Sequence, residues 1–585
     1  MAKLTAVVSV FLIASACRRN PADQLNRLSE EFVYTSISFS PSTATSAGLH
    51  RYQNQNLDDL LDDMSPLNLD RQRRFYTRFR ERLAALDMNG FGAEERADLR
   101  IMQDQSDLAL LDLNDIHSHL HSPTLYVETL GNALFNPFVL EYAPLATRYR
   151  SIISRLEKVP LFLDQARTNL LSAPDVWTRV AVEENQGNIE LVDRTLRAKV
   201  PAELAASYTK AALPALDAMQ KFQDYLKRSL ASRNGYDWRL GREHYARKFQ
   251  YTLESGVDPE STLVTAEREL GQVRARMLDL ALALHRQLVP AHRDHEELSG
   301  EARQNQVIGE VLDKIAERHS TPASYMDDAR KDLGEARAFV EQKHLLTLSP
   351  RSNLQVIPTP EFMRGIYSVG GFNAAPALEP QLGAYYWITP ISADWPQERI
   401  LSKLREYNLY GLKLLTLHEA VPGHYVQGEI ANDLQPAVRR LLRGVYGNGA
   451  YVEGWAVYSS QMMLEEGYLN HSPELALTFA KHQLRVIANA IIDIRLQMLG
   501  MPEQEARDLM EKQTFQEKEE ATEKIQRAKL SSAQLATYFA GWRGWLSARD
   551  AYKQAKGAAF SLPEFHDRAL KEGAVPLPVL VELLK

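Results

Sequence analysis

The sequence predicts a mainly α-helical protein with one short β-rich passage, and three observations carry that expectation. Apolar residues recur at spacings of three and four through most of the chain; glycine, proline and aromatic residues gather in one stretch, 353–390; and no segment beyond residue 17 supplies the roughly 18 consecutive apolar residues of a membrane span. A 585-residue chain with 45% hydrophobic and 24% charged residues has the makeup of a soluble globular fold with one large core or several smaller ones. Its net charge of -7 offers no basic footprint for nucleic acid.

The elements follow in order. Residues 4–16 form a largely apolar run behind Lys3, too short to span a bilayer and matching the core of a signal peptide, which assigns 1–16 to export. The run ends at Cys17, the only cysteine, so no disulfide can form within the chain. Ala14-Ser15-Ala16-Cys17 resembles a bacterial lipobox, which makes Cys17 the expected lipidation site; the alternative is an ordinary signal peptide followed by a chance cysteine. Arg18 and Arg19 in place of aspartate favour the outer membrane in a Gram-negative cell, and the lipid anchor is then the one membrane contact.

An N-terminal helical region, 17–345, is expected to carry helices within 71–113, 149–171, 188–227 and 301–318. Asp258-Pro259-Glu260 is a helix cap with proline at the first helical position, and Leu263, Leu270, Val273, Met277, Leu280 and Leu284 form the apolar stripe that follows. The remainder, 346–585, reads as the catalytic region of an integrated fold. Its residues 382–389 read as a strand, either a site where an extended peptide adds a further strand or a structural hairpin over the core. From Pro396 a helix is expected to carry Leu404, Tyr407, Gly411, Leu414 and His418 on its buried stripe.

That helix leads into His418-Glu419-Ala420-Val421-Pro422-Gly423-His424. In H-E-x-x-H zinc sites the histidines stand at i and i+4 on one helix face and the glutamate is the general base. Here the second histidine stands at i+6, about 120° around an unbroken helix from the first. Pro422 and Gly423 are the two residues in excess, and a break there would return His424 to the face of His418. His295-Glu296 lacks such a return histidine and is expected to be solvated surface.

A catalytic zinc needs a third protein ligand, and Glu453, 29 residues after His424 on a predicted helix, is the best candidate; the competing role is a surface or capping carboxylate. Arg485, Asn489, Asp493 and Gln497 share one helix face. Arg485 and Asp493 are candidates for supporting the metal site or anchoring substrate, although a solvated face also explains the stripe. Tyr538 lies in a helical stretch with Gln534 and Gly541, where its hydroxyl is either an oxyanion donor or a core group. His117, His119 and His121 would align as metal ligands only on a strand, and their surroundings favour a loop.

The motifs together resemble the bacterial domain-of-unknown-function family 885, of the zincin-like metallopeptidase superfamily. The resemblance rests on His418 to His424 with Gln427, Glu453-Gly-Trp-Ala-Val-Tyr458, Gln534 with Tyr538 and Gly541, and Phe565-His-Asp567 with Leu570, Gly573, Pro576 and Leu577. It implies a helical fold like that of thimet-oligopeptidase-type enzymes, with a deep cleft and a small sheet beside it, and one zinc held by His418, His424 and Glu453. Two departures stand out: Ser460 where relatives carry a carboxylate and Gln497 where they carry a histidine. The function expected is a zinc-dependent peptidase of the cell envelope with Glu419 as base, Tyr538 as oxyanion donor and a peptide as substrate. A non-catalytic envelope lipoprotein that binds peptides or serves as a scaffold, and a hydrolase of non-peptide amides or esters, are the alternatives.

Overall fold

The computed structural model describes residues 21–290, 294–364 and 367–585, so the expected signal peptide and Cys17 lie outside the described residues. The fold is mainly helical, with small sheets. The cap foreseen at Asp258 forms: its carboxylate accepts the Ser261 N–H, Pro259 opens the helix, and α1 (Pro259–Leu288) buries Leu263, Val273, Met277 and Leu284. The next helix, α2 (Gly300–Ala316), packs along it. The expected helix at 71–113 is divided into Pro66–Ala84 and Ala93–Leu111, because Gly90 takes a left-handed turn at φ +92°.

The β-rich stretch becomes a three-stranded sheet of β1 (Leu354–Pro358), β2 (Gly370–Asn373) and β3 (Ala384–Ile388), in the order β1-β3-β2. β3 pairs parallel with β1, Val356 opposite Tyr386, and antiparallel with β2, Phe372 opposite Tyr386. Both edges of β3 are therefore occupied, which rules out its role as a peptide-docking strand. β3 is also buried on both faces, as strand alternation allows: Tyr385 and Trp387 join the core of the N-terminal helices, and Tyr386 and Ile388 join the cluster around Leu404, Tyr407 and Leu412. The two edge strands are β1 and β2, and β2 is the one on the cavity side.

The helix expected from Pro396 through His418 is two helices, α3 (Gln397–Glu406) and α4 (Leu409–Glu419). Asn408 interrupts them by capping the second, its side chain accepting the N–H groups of Tyr410 and Gly411. The foreseen stripe survives the break, with Leu404, Tyr407, Leu414 and His418 all buried. The largest core cluster joins α1, α2 and α4 to the C-terminal helices. Beside it lies a cavity of about 1180 Å³, bordered by β2, α4 and the helices that follow.

Candidate metal centre

α4 stops at Glu419, the backbone turns away at Ala420, and α5 (His424–Ala431) starts on the second histidine. The break required by the sequence is present. Gly423 is indispensable to it, since a Cβ there would lie 1.9 Å from the His418 carbonyl oxygen and 2.4 Å from that of Leu417. The indole N–H of Trp455 pins the loop from the other side, donating to the carbonyl of Pro422 at 2.9 Å and reaching that of Gly423 at 3.3 Å. The two imidazoles now face each other, ring centres 4.7 Å apart and planes at 81°.

Glu453 meets them from α6 (Gly449–Glu465), which Asn448 caps through the Tyr451 N–H. α7 (Pro473–Met498), α8 (Lys518–Leu530) and α9 (Ala536–Lys556) complete the surround. α6 and α9 cross backbone to backbone at Gly454 and Gly541, where a Cβ on Gly541 would lie 1.9 Å from the Ala450 carbonyl oxygen. That crossing sets Gln534 at 3.5 Å from Glu453 Oε1 and brings the Tyr538 ring within 6.0 Å of His418, nearly parallel to it.

The Nε2 atoms of His418 and His424 each stand 3.4 Å from Glu453 Oε2. Ligand atoms bound tetrahedrally at about 2.0–2.1 Å are separated by about 3.3–3.4 Å, so this spacing suits a single cation. Glu453 Oε2 is buried without a well-formed hydrogen bond, which is costly for a carboxylate oxygen unless a cation satisfies it. Burial pushes the Glu453 carboxyl up, but the two imidazoles outweigh it and hold the group well below the usual carboxylate range. His424 is pushed down by burial and raised on balance by Glu453 and Glu419. Two imidazoles and one carboxylate are a donor set suited to zinc.

Glu419 borders the cavity, and burial is the main cause of the rise in its pKa. Tyr538, also on the cavity wall, is raised well above the ordinary phenol by burial first and by Glu453 second, which keeps its proton in place as a donor. Gln427, one turn into α5, lines the same wall.

The polar face of α7 is not solvated, contrary to the commoner reading of such a stripe. Arg485 is held by Tyr407 at 3.1 Å and by the carboxylates of Glu520 and Glu406 at 3.3 and 3.5 Å. Asp493, pushed up to about 7 by burial, accepts the backbone N–H groups of Ala533 and Ala536 and so fixes the start of α9 below Tyr538. Gln497 donates to the carbonyls of Ala528 and Ser531 at the end of α8. Ser460 turns back onto the Ala456 carbonyl, and neither it nor Gln497 borders the cavity.

Sequence reasoning missed His482, which lines the cavity with its ring 6.2 Å from that of His418. Burial, reinforced by Arg485, keeps it well below the usual imidazole range, and Arg485 donates to its Nδ1 at 2.8 Å. A signal existed: 482, 485 and 489 continue the polar stripe at spacings of three and four. Lys524 on α8 also borders the cavity, with Glu520 at 3.7 Å. Phe565-His-Asp567 is an anchor instead: His566 bonds Tyr458 and the Leu345 carbonyl, and Asp567 accepts from Thr347.

His117, His119 and His121 do not converge; His121 stacks on Tyr236 at 3.7 Å. His295 departs from expectation, being 9% exposed and gathered with His285 and Glu310 instead of solvated.

The family model described as a bacterial protein of unknown function, DUF885, matches residues 41–584. No curated protein matches the chain. Two solved structures are similar along nearly the whole length. One, a candidate lipoprotein of unknown function from Shewanella oneidensis, is 28% identical with a TM-score of 0.75, and the match covers 96% of this chain and 99% of that one. The other, a candidate lipoprotein from Colwellia psychrerythraea, is 18% identical with a TM-score of 0.76, covering 97% and 98%.

Proposed function

The chain belongs to the bacterial DUF885 family of unknown function, and on that premise we propose that it is a zinc-dependent peptidase of the zincin-like type, with a cleft like that of thimet oligopeptidase. The observation that carries this reading is the meeting of two imidazole nitrogens with one buried carboxylate oxygen at 3.4 Å, on the wall of a cavity that also holds Glu419. His418, His424 and Glu453 would hold one zinc, which supplies Lewis acidity and lowers the pKa of a water towards about 7.

The chain's own groups do the rest. Glu419 takes the proton of the attacking water at its carboxylate and returns it to the leaving amine. The rise in the Glu419 pKa, caused first by burial, moves the group in the direction that suits both transfers, making it a stronger base than an ordinary carboxylate. Tyr538 keeps its hydroxyl proton and donates to the oxygen on which charge develops. The free edge of β2 runs along the cavity, and its backbone groups suit an extended peptide that adds as a further strand. That edge favours peptides over small esters or amides. The two departures from the family pattern, Ser460 and Gln497, lie off the cavity wall, which favours the catalytic reading over a non-catalytic role.

We place the protein at the cell envelope because the Shewanella relative is a candidate lipoprotein and Cys17 ends a lipobox-like sequence. No helix among the described residues is long and apolar enough to cross a membrane. Glu419→Gln tests the assignment: the variant should bind zinc like the parent and lose most of its peptide turnover, and undiminished turnover would remove Glu419 as the base.

A further inference from the structure

Among the described residues, one other group of side chains converges as a ligand set does. His285 comes from the last turn of α1, Glu310 from α2, and His295 from the connection between them. The Nε2 atoms of the two histidines reach the same carboxylate oxygen, Glu310 Oε2, at 2.8 and 3.0 Å. His285 is fully buried, and His295 is held with a left-handed backbone at φ +48°, a conformation unfavourable for a non-glycine residue that persists where its surroundings fix it.

The far nitrogens are placed as ligands require. His285 Nδ1 faces Asp294 Oδ1 at 3.3 Å, and His295 Nδ1 faces Glu297 Oε1 at 3.1 Å. The Nε2 atoms share protons with Glu310 at 2.8 and 3.0 Å; an ion that replaces those protons would leave each imidazole neutral, with its Nδ1 proton given to the carboxylate behind it, a recurrent backing of histidine ligands. The second oxygen of Glu310 is steadied by Gln306 at 2.5 Å. Arg286 pairs with Asp294 at 2.6 Å, and Glu297 and Glu310 are the carboxylates that face the two imidazoles.

We propose that His285, His295 and Glu310 form a second site for a divalent transition metal such as zinc, separate from the catalytic cluster, which clips the connection after α1 to the α1–α2 pair. None of the three borders the large cavity, so the site is structural. α1 also packs extensively along α7, the helix that carries His482 and Arg485, and the clip steadies that support. The proposal does not rest on peptidase activity.

The test uses the full chain, stripped with chelator, dialysed against Zn2+ and analysed for metal per folded chain. The parent should hold two zinc ions, and a His418→Ala/His424→Ala variant should hold one. Adding Glu310→Gln to that variant, a change that preserves shape and removes the charge and one acceptor oxygen, should lower the remaining affinity at least about tenfold. Chelator should lower the melting temperature of the His418→Ala/His424→Ala variant and leave that of the triple variant unmoved. Absence of zinc from the first variant, or retention of the same affinity after Glu310→Gln, would overturn the proposal. Should His285→Ala or His295→Ala fail to fold, the isosteric Glu310→Gln still decides the matter.

Discussion

The two His-His-Glu clusters share a donor set and differ in everything around it. In the first, three helices bring the groups together across a broken turn, and the shared oxygen stands 3.4 Å from both nitrogens. In the second, two helices and a connection do so, and the spacing draws in to 2.8 and 3.0 Å, that of charge-assisted hydrogen bonds. The second has carboxylates behind both imidazoles, whereas the Nδ1 atoms of His418 and His424 are buried without partners. Orientation of the first pair thus comes from backbone and packing: Gly423 permits the turn and Trp455 holds it. Ligand type alone does not make a catalytic site. A base beside the ligands and room for a substrate distinguish the first cluster from the second.

The sharpest separation comes from the base. Glu419→Gln should reduce peptide turnover by about 10²–10⁴-fold with zinc retained, while Glu310→Gln should leave turnover unchanged; comparable losses in both would erase the distinction drawn here. Next in size is Gly423→Ala. Its methyl group collides with the carbonyls of Leu417 and His418, so we expect more than about 2 kcal/mol of destabilisation in denaturant melts and loss of zinc from the first cluster only. Trp455→Phe keeps the aromatic bulk and removes the N–H, which should cost about 1 kcal/mol and weaken zinc binding at the first cluster about tenfold.

The smallest effect is one of pH. Burial raises the pKa of Glu419, and the base works only when ionised, so activity is full above that pKa and falls as pH drops through it. The acid limb of kcat/KM should therefore lie above the ordinary carboxylate range. A limb at the usual glutamate pKa would mean that the carboxylate titrates as if in water.

Much of the first cluster was legible in the sequence because its geometry is local. A six-residue return between histidines forces a break, and Pro422-Gly423 marks where it falls. Glu453 followed from the need for a third ligand. The second cluster was not legible, since its glutamate stands 15 residues past His295 on another helix and its first histidine ten before it, with no motif linking them. The interruption at Asn408 was missed because the apolar stripe keeps its phase across it, and capping chemistry overrode the periodicity. The central position of β3 was likewise hidden: five consecutive buried residues identify a strand covered on both faces, but not which neighbours pair with its edges. The polar face of α7 misled for the opposite reason, because its buried ion pairs look the same in sequence as a solvated stripe.

The most direct test of the central claim is a peptide-library digest by the purified full chain, with and without chelator, followed by return of Zn2+. Cleavage, internal or terminal, should vanish with chelator, return with zinc and be strongly reduced in Glu419→Gln. A protein with zinc bound at His418, His424 and Glu453 that cleaves no member of the library, or cleavage indifferent to chelator, would contradict it.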